Sequence, residues 1–139
     1  MAMREGPLSS RDFQRAADQR LTTAEFLCHW GYNLEAAYLA GYTIECTLKA
    51  LILEKTSVSE RPETLRKIRS GRRMHDFEVL AGLLKDLGQP IPLRFVRKLR
   101  RYAWSTDMRY ETGRRPPGET RGFLKAAKEV GDWVKGQLS

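Results

Sequence analysis

The sequence predicts an all-α protein, a bundle of four to five helices running up and down. Three observations carry that prediction. Apolar residues recur at helical spacing in every long stretch between punctuating glycines and prolines. No stretch of useful length alternates apolar and polar residues as a strand would. The stretch Leu34 to Leu53 is apolar on one side and small on the other, the pattern of a helix packed on both sides at the centre of a bundle.

The first helix is expected from about Ser9 to Trp30. Ser9 has an N-capping side chain, and Asp12 puts a carboxylate among the unpaired N–H groups of the first turn. Phe13, Ala17, Leu21, Ala24 and Leu27 repeat at helical period, and Gly31 ends the run. Residues 1–8 have neither that period nor the apolar run of a signal peptide and are expected to be a flexible terminus.

A second helix follows from about Asn33, read as its cap, to Lys55. Leu34, Ala37, Tyr38, Ile44, Leu48 and Leu51 line one face; Ala36, Ala40, Thr43, Thr47 and Ala50 line the other. Gly41 costs helix stability, a cost offset where it lets a neighbouring helix approach closely. Glu35, Glu45 and Lys49 within this run argue against a membrane span.

Residues 56–75 form a polar, basic connection. Pro62 opens a short helix, Glu63 to Arg69, that Ser70-Gly71 ends. A further helix runs from about Asp76 to Leu87 and stops at Gly88, and Pro90-Ile91-Pro92 then breaks the chain. Leu93 to Tyr102 is a short basic helix with Phe95, Val96 and Leu99 facing inward. Trp104 to Gly118 reads as an irregular loop, and the last helix runs from about Glu119 to Leu138 on a stripe of Phe123, Ala127, Val130 and Val134.

The 139 residues suit one domain, with 41% hydrophobic and 30% charged residues, an ordinary globular balance that excludes a disordered or fibrous chain. The only cysteines, Cys28 and Cys46, fall in apolar helical patterns with no accompanying histidine cluster. A disulfide scaffold and a metal site are not expected, and the thiols should be buried and inert. No cofactor motif is present, neither a glycine-rich phosphate loop nor a nucleophile–base order. A cytoplasmic protein with no membrane attachment is expected.

Charge is the feature that points to a partner. Residues 61–121 hold 16 of the 25 Lys+Arg and 7 of the 17 Asp+Glu, a net of +9, while the remainder sums to −1. Such asymmetry suits a polyanion, nucleic acid first, although a solvated arginine-rich surface gives the same count. Arg94, Arg97, Lys98 and Arg101 share one helical face, which can follow a phosphate backbone without reading sequence.

Three segments resemble the HEPN domain family: Ala40-Gly41-Tyr42-Thr43-Ile44-Glu45-Cys46-Thr47-Leu48-Lys49-Ala50, then His75-Asp76-Phe77, then Trp104-Ser105-Thr106-Asp107-Met108-Arg109-Tyr110 ahead of an amphipathic last helix. Their order and spacing fit the family over nearly the whole chain. The resemblance implies a helical bundle of HEPN type that pairs into a homodimer and works on RNA or nucleotides, often beside a minimal nucleotidyltransferase. Many members are ribonucleases, some of them toxins of toxin–antitoxin pairs, with an arginine followed by four to six residues and a histidine near the start of the last helix.

The chain departs from that motif. Arg109 is in place, but no histidine follows it anywhere. Without one there is no general base near neutral pH at that position, so the ribonuclease mechanism does not carry over. Arg69 and His75 satisfy the spacing formally but lie before the wrong helix, within a run dense in arginine.

Six residues are candidates for binding RNA or a nucleotide. Arg109 can grip a phosphate in bidentate fashion, Asp107 can orient it, and Tyr110 can stack on a base. Arg72, Arg73 and His75 can line the rim of a basic cleft. Each has a structural counterpart: an Asp107–Arg109 pair that holds the loop, and a histidine that caps a helix beside Asp76. Glu45 and Lys49, spaced i, i+4, form a helix-stabilising pair if exposed; if buried they need partners, and Arg109 can supply one. His29, near the end of the first helix, suits the helix dipole.

Overall fold

The computed structural model describes residues 6–102 and 104–138. Its α-helices are α1 (Ser10–His29), α2 (Asn33–Lys55), α3 (Arg61–Ser70), α4 (Phe77–Asp86), α5 (Leu93–Tyr102) and α6 (Pro117–Leu138). Short 3₁₀ turns at Val58–Glu60, Arg72–His75 and Thr106–Tyr110 lie between them. No strand occurs among the described residues. The all-α prediction holds, with α3 and its flanking turns filling the basic connection beside the larger helices.

Ser9 caps α1 as its side chain predicts, its Oγ accepting from the Asp12 N–H at 3.2 Å. Asp12 in turn accepts from the Leu8 N–H at 3.0 Å, so the end of the expected flexible terminus is tied down. Residues 1–5 of that terminus lie outside the described residues. The chain turns from α1 into α2 through Gly31, whose φ of 86° is left-handed, where a side chain would be strained. Asn33 is not the cap of α2. Tyr32 holds the cap position without a side-chain bond, and Asn33 is already helical, its Oδ1 accepting from the Cys28 thiol at 3.8 Å. A tight turn brought the helix start one residue earlier than capping chemistry indicates.

α2 is the central helix. Sixteen of its 23 residues are buried, and it packs against α1, α6 and α4. By length and composition it could cross a membrane, yet 83% of its most apolar window is buried inside the protein. Its small residues meet neighbouring backbone: Thr43 Oγ1 donates to the Ala17 carbonyl at 3.4 Å, and Ser10 Oγ of α1 donates to the Ala50 carbonyl at 2.9 Å. Arg61 closes its far end by donating to the carbonyls of Leu53, Glu54 and Thr56 at 3.1–3.2 Å, which satisfies acceptors the helix leaves open.

Gly41 does offer close approach, but to a side chain rather than a helix. A Cβ on Gly41 would lie 2.0 Å from the Trp104 indole, which arrives from the stretch after α5. Trp104 is buried there, stacked on Phe77 of α4 at 5.3 Å between ring centroids, with its Nε1–H donating to the Tyr38 carbonyl at 3.0 Å. One aromatic thus staples α2, α4 and the segment before α6.

α4 is capped by Asp76, whose Oδ1 accepts from the Glu78 N–H at 2.8 Å. α5 buries Phe95 and Leu99 as expected. α6 begins at Pro117, two residues before the sequence indicates, because proline's fixed φ and missing N–H suit a first helical position. The segment 106–110, read as irregular, is a 3₁₀ turn capped by Ser105, whose Oγ accepts from the Asp107 N–H at 3.2 Å.

Candidate functional site

The site grows from one carboxylate. Glu45 sits on the buried side of α2, and its side chain and that of Lys49 are each only 6% exposed. A lone charge there would be costly, so its two oxygens are both engaged. Oε2 accepts from Lys49 Nζ at 3.0 Å, and Oε1 meets His75 Nδ1 at 2.7 Å. The pair is therefore buried, and the partner it needs is His75 rather than Arg109. His75 is carried to this place by the 3₁₀ turn before α4; Asp76, not His75, caps the helix.

Bonding through Nδ1 leaves Nε2 as the remaining hydrogen-bonding atom of the His75 ring. With a carboxylate on Nδ1, the neutral ring carries its proton on Nδ1 and presents Nε2 as an acceptor, the arrangement by which a carboxylate fixes a histidine tautomer.

Tyr42, one turn before Glu45, ties the loop to this pair. Its ring lies 6.2 Å from that of His75 and 5.1 Å from that of Trp104, both edge-on, and its Oη is 3.3 Å from Tyr38 Oη. Burial pushes the Tyr42 phenol well above its ordinary range, helped by the bond to Tyr38 and the Glu45 charge. The Arg109 charge opposes that shift. Arg109 is exposed, 4.8 Å above the Tyr110 ring, a cation–π contact. Tyr110 is 73% exposed. Among the described residues no ion pair joins Asp107 to Arg109 or gives Arg109 any carboxylate partner.

Arg73 and His75 also line a cavity of about 530 Å³ between α4, α5 and the Trp104 segment. The side chain of Arg72 lies outside the described residues. Sequence reading missed this cavity because its walls come from three separated segments; the inward residues of α4 and α5 were legible, but not the space between them.

A minority of the basic side chains are already committed to carboxylates. Lys98 binds Glu129 at 2.6 Å, Arg100 pairs with Glu78, and Arg115 lies between Glu111 and Glu119 at 2.9 and 3.4 Å. Arg94 lies over the Phe95 ring at 4.5 Å. Of the predicted face on α5, Arg97 and Arg101 keep no carboxylate partner among the described residues. Arg73, Arg97, Arg101 and Arg109 are thus among the cations that keep no carboxylate partner among the described residues.

Cys46 is buried, and burial pushes its thiol up to about 11, which keeps it protonated and unreactive. Cys28 is only half-buried. His29 is exposed and packs edge-on against Trp30. Among the described residues no group of three His, Cys, Asp or Glu side chains could hold a metal ion.

Compared with known families, residues 10–137 match the HEPN domain. No curated protein and no solved structure matches the chain.

Proposed function

The chain belongs to the HEPN domain family, and from that premise we propose that it acts as a homodimer binding RNA or a nucleotide through the basic face around Arg73, His75 and Arg109, with little or no catalysis of its own. One observation carries the reading: His75, brought in by the turn before α4, sets its ring 6.2 Å from that of Tyr42 on α2, while exposed Arg109 keeps no carboxylate partner among the described residues. In this reading Arg109 grips phosphate, free of any competing carboxylate among the described residues, and exposed Tyr110 stacks on a base. Asp107 acts through the loop backbone rather than through a pair with Arg109.

The homodimer part is supported by three aromatics around the α1–α2 turn. Phe26, Trp30 and Tyr32 are each more than half exposed, a surface that gains from burial against a second copy. A nucleotidyltransferase partner, as the family implies, would be recognised by co-purification with this chain.

The test is Arg109→Ala. RNA binding, read by anisotropy, should weaken about tenfold, the scale of one charge-assisted contact, at an unchanged melting temperature. A large loss of stability with unaltered binding would make Arg109 a structural residue. A second reading, a ribonuclease toxin with a rearranged site, is favoured by the 2.7 Å Glu45–His75 contact, which fits a general base. Metal-independent cleavage lost in both His75→Ala and Arg109→Ala would establish it; RNA left intact after long incubation would dismiss it.

A further inference from the structure

We propose that the cavity between α4, α5 and the Trp104 segment binds a small monocarboxylate with an apolar body, a ligand distinct from RNA. At about 530 Å³ the cavity is within the range of roughly 300–1,000 Å³ that small-molecule sites occupy. Its floor is Phe77, Ala81, Ile91, Val96, Leu99 and Trp104. That floor has no free hydrogen-bonding group on its side chains, because the Trp104 indole N–H is spent on the Tyr38 carbonyl. A nucleobase seated on that floor would find only the Ser105 and Thr106 hydroxyls at the cavity's edge for its several polar edge atoms, and each one left unpaired would cost affinity. An alkyl or aryl body has no such edges and gains from the same walls.

The rim supplies the anion's partners. Four charged side chains line it besides His75: Arg73, Asp76, Glu78 and Arg100. Asp76 is occupied in capping α4, and Glu78 and Arg100 pair with each other. Arg73 has no carboxylate partner among the described residues, and His75 has Nε2 uncommitted, since Glu45 holds Nδ1. The rim therefore offers one unpaired cation, Arg73, with the Ser105 and Thr106 hydroxyls beside an apolar floor, while the neutral His75 ring, whose Nε2 accepts, gives a carboxylate no donor. One carboxylate fits that capacity, with Arg73 donating to it.

Glu45 is fixed by Lys49 in the core, so the imidazole it grips is set on the cavity wall before a ligand arrives. Because Arg73 and His75 also belong to the proposed RNA-binding face, a bound carboxylate would compete there with RNA phosphate. Binding of the carboxylate does not, however, require that the chain bind RNA at all.

The test is calorimetric titration of the full chain with octanoate, octanol, inorganic phosphate and adenosine monophosphate. Octanoate should bind saturably at one site, with octanol and phosphate each at least about tenfold weaker, since each lacks half of the recognition. Arg73→Gln should weaken octanoate about tenfold. Val96→Trp fills the cavity from α5 and Ala81→Leu fills it from α4; whichever retains the wild-type melting temperature should lose octanoate while still binding single-stranded RNA. Absence of octanoate binding, octanol binding equally well, or octanoate binding that survives the filled cavity would each overturn the proposal. So would adenosine monophosphate binding more tightly and being lost on filling, which would place a base in the cavity. Octanoate bound as predicted by a chain that ignores RNA would leave this proposal standing and defeat the RNA reading instead.

Discussion

Replacing Gly41 by alanine sets two effects of opposite sign against each other. Alanine inside a helix is favoured over glycine by about 1 kcal/mol, so propensity alone has Gly41→Ala stabilise α2. The new methyl group, however, would lie 2.0 Å from Trp104 Cε2 and Nε1 and 2.2 Å from Cδ2, separations no pair of heavy atoms tolerates. The indole has to leave its seat. It then forfeits burial, the stack on Phe77 and the bond to the Tyr38 carbonyl. Loss of a large buried aromatic costs about 3–5 kcal/mol, so the net expectation is a destabilisation of about 2–4 kcal/mol. Urea unfolding followed by circular dichroism reads that difference, and tryptophan fluorescence should shift to the red as Trp104 meets water. Because Trp104 anchors the turn that carries Arg109 and Tyr110, RNA affinity should fall as well. A variant as stable as the parent, or more so, would refute the stapling role assigned to Trp104.

Two further predictions concern the core of α2. Glu45→Ala strands the Lys49 ammonium, 6% exposed, without its carboxylate and should cost about 3–5 kcal/mol; replacing both residues by methionine should recover most of that in the same urea assay, and failure to recover would show that the pair does more than neutralise itself. Cys46 predicts a loss of stability in alkali: its thiol rises from 9.0 to about 11 on folding, so the folded chain holds the proton more tightly. The corresponding stability, about 2–3 kcal/mol at most, is fully present below pH 9 and is lost as pH rises through about 11. Cys46→Ala should flatten that decline, leaving the share due to Tyr42, and an unchanged pH profile would contradict it.

What the sequence makes legible follows from the range of the interaction. Helical period is local, so α5 falls at Leu93–Tyr102 and α2 at Asn33–Lys55 as the pattern indicates. Glu45 and Lys49 are four residues apart and their pairing is equally visible. Their third partner, His75, is thirty residues away, and nothing local selects it over Arg109. The need for Gly41 could be sensed from its place in a helix, but the indole that requires it lies 63 positions along the chain. The cation count was plain from composition, whereas which cations stay free depended on tertiary partners such as Glu129 for Lys98 and Glu78 for Arg100. Arg61 shows the same limit, a basic residue that serves the carbonyls ending α2 rather than the basic face.

The central claim is that unpaired cations of the basic region, Arg109 among them, hold RNA by its phosphates, and a salt series with labelled single-stranded RNA tests it most directly. Binding should weaken linearly on a log–log plot as salt rises, since each neutralised phosphate releases counterions, and Arg109→Ala should lower the slope by about one contact, roughly 0.7 for a single strand. A denaturing gel of the same samples should show intact RNA. Binding that ignores salt, or a slope that Arg109→Ala leaves untouched, would contradict the account, and cleaved RNA would replace it with the nuclease.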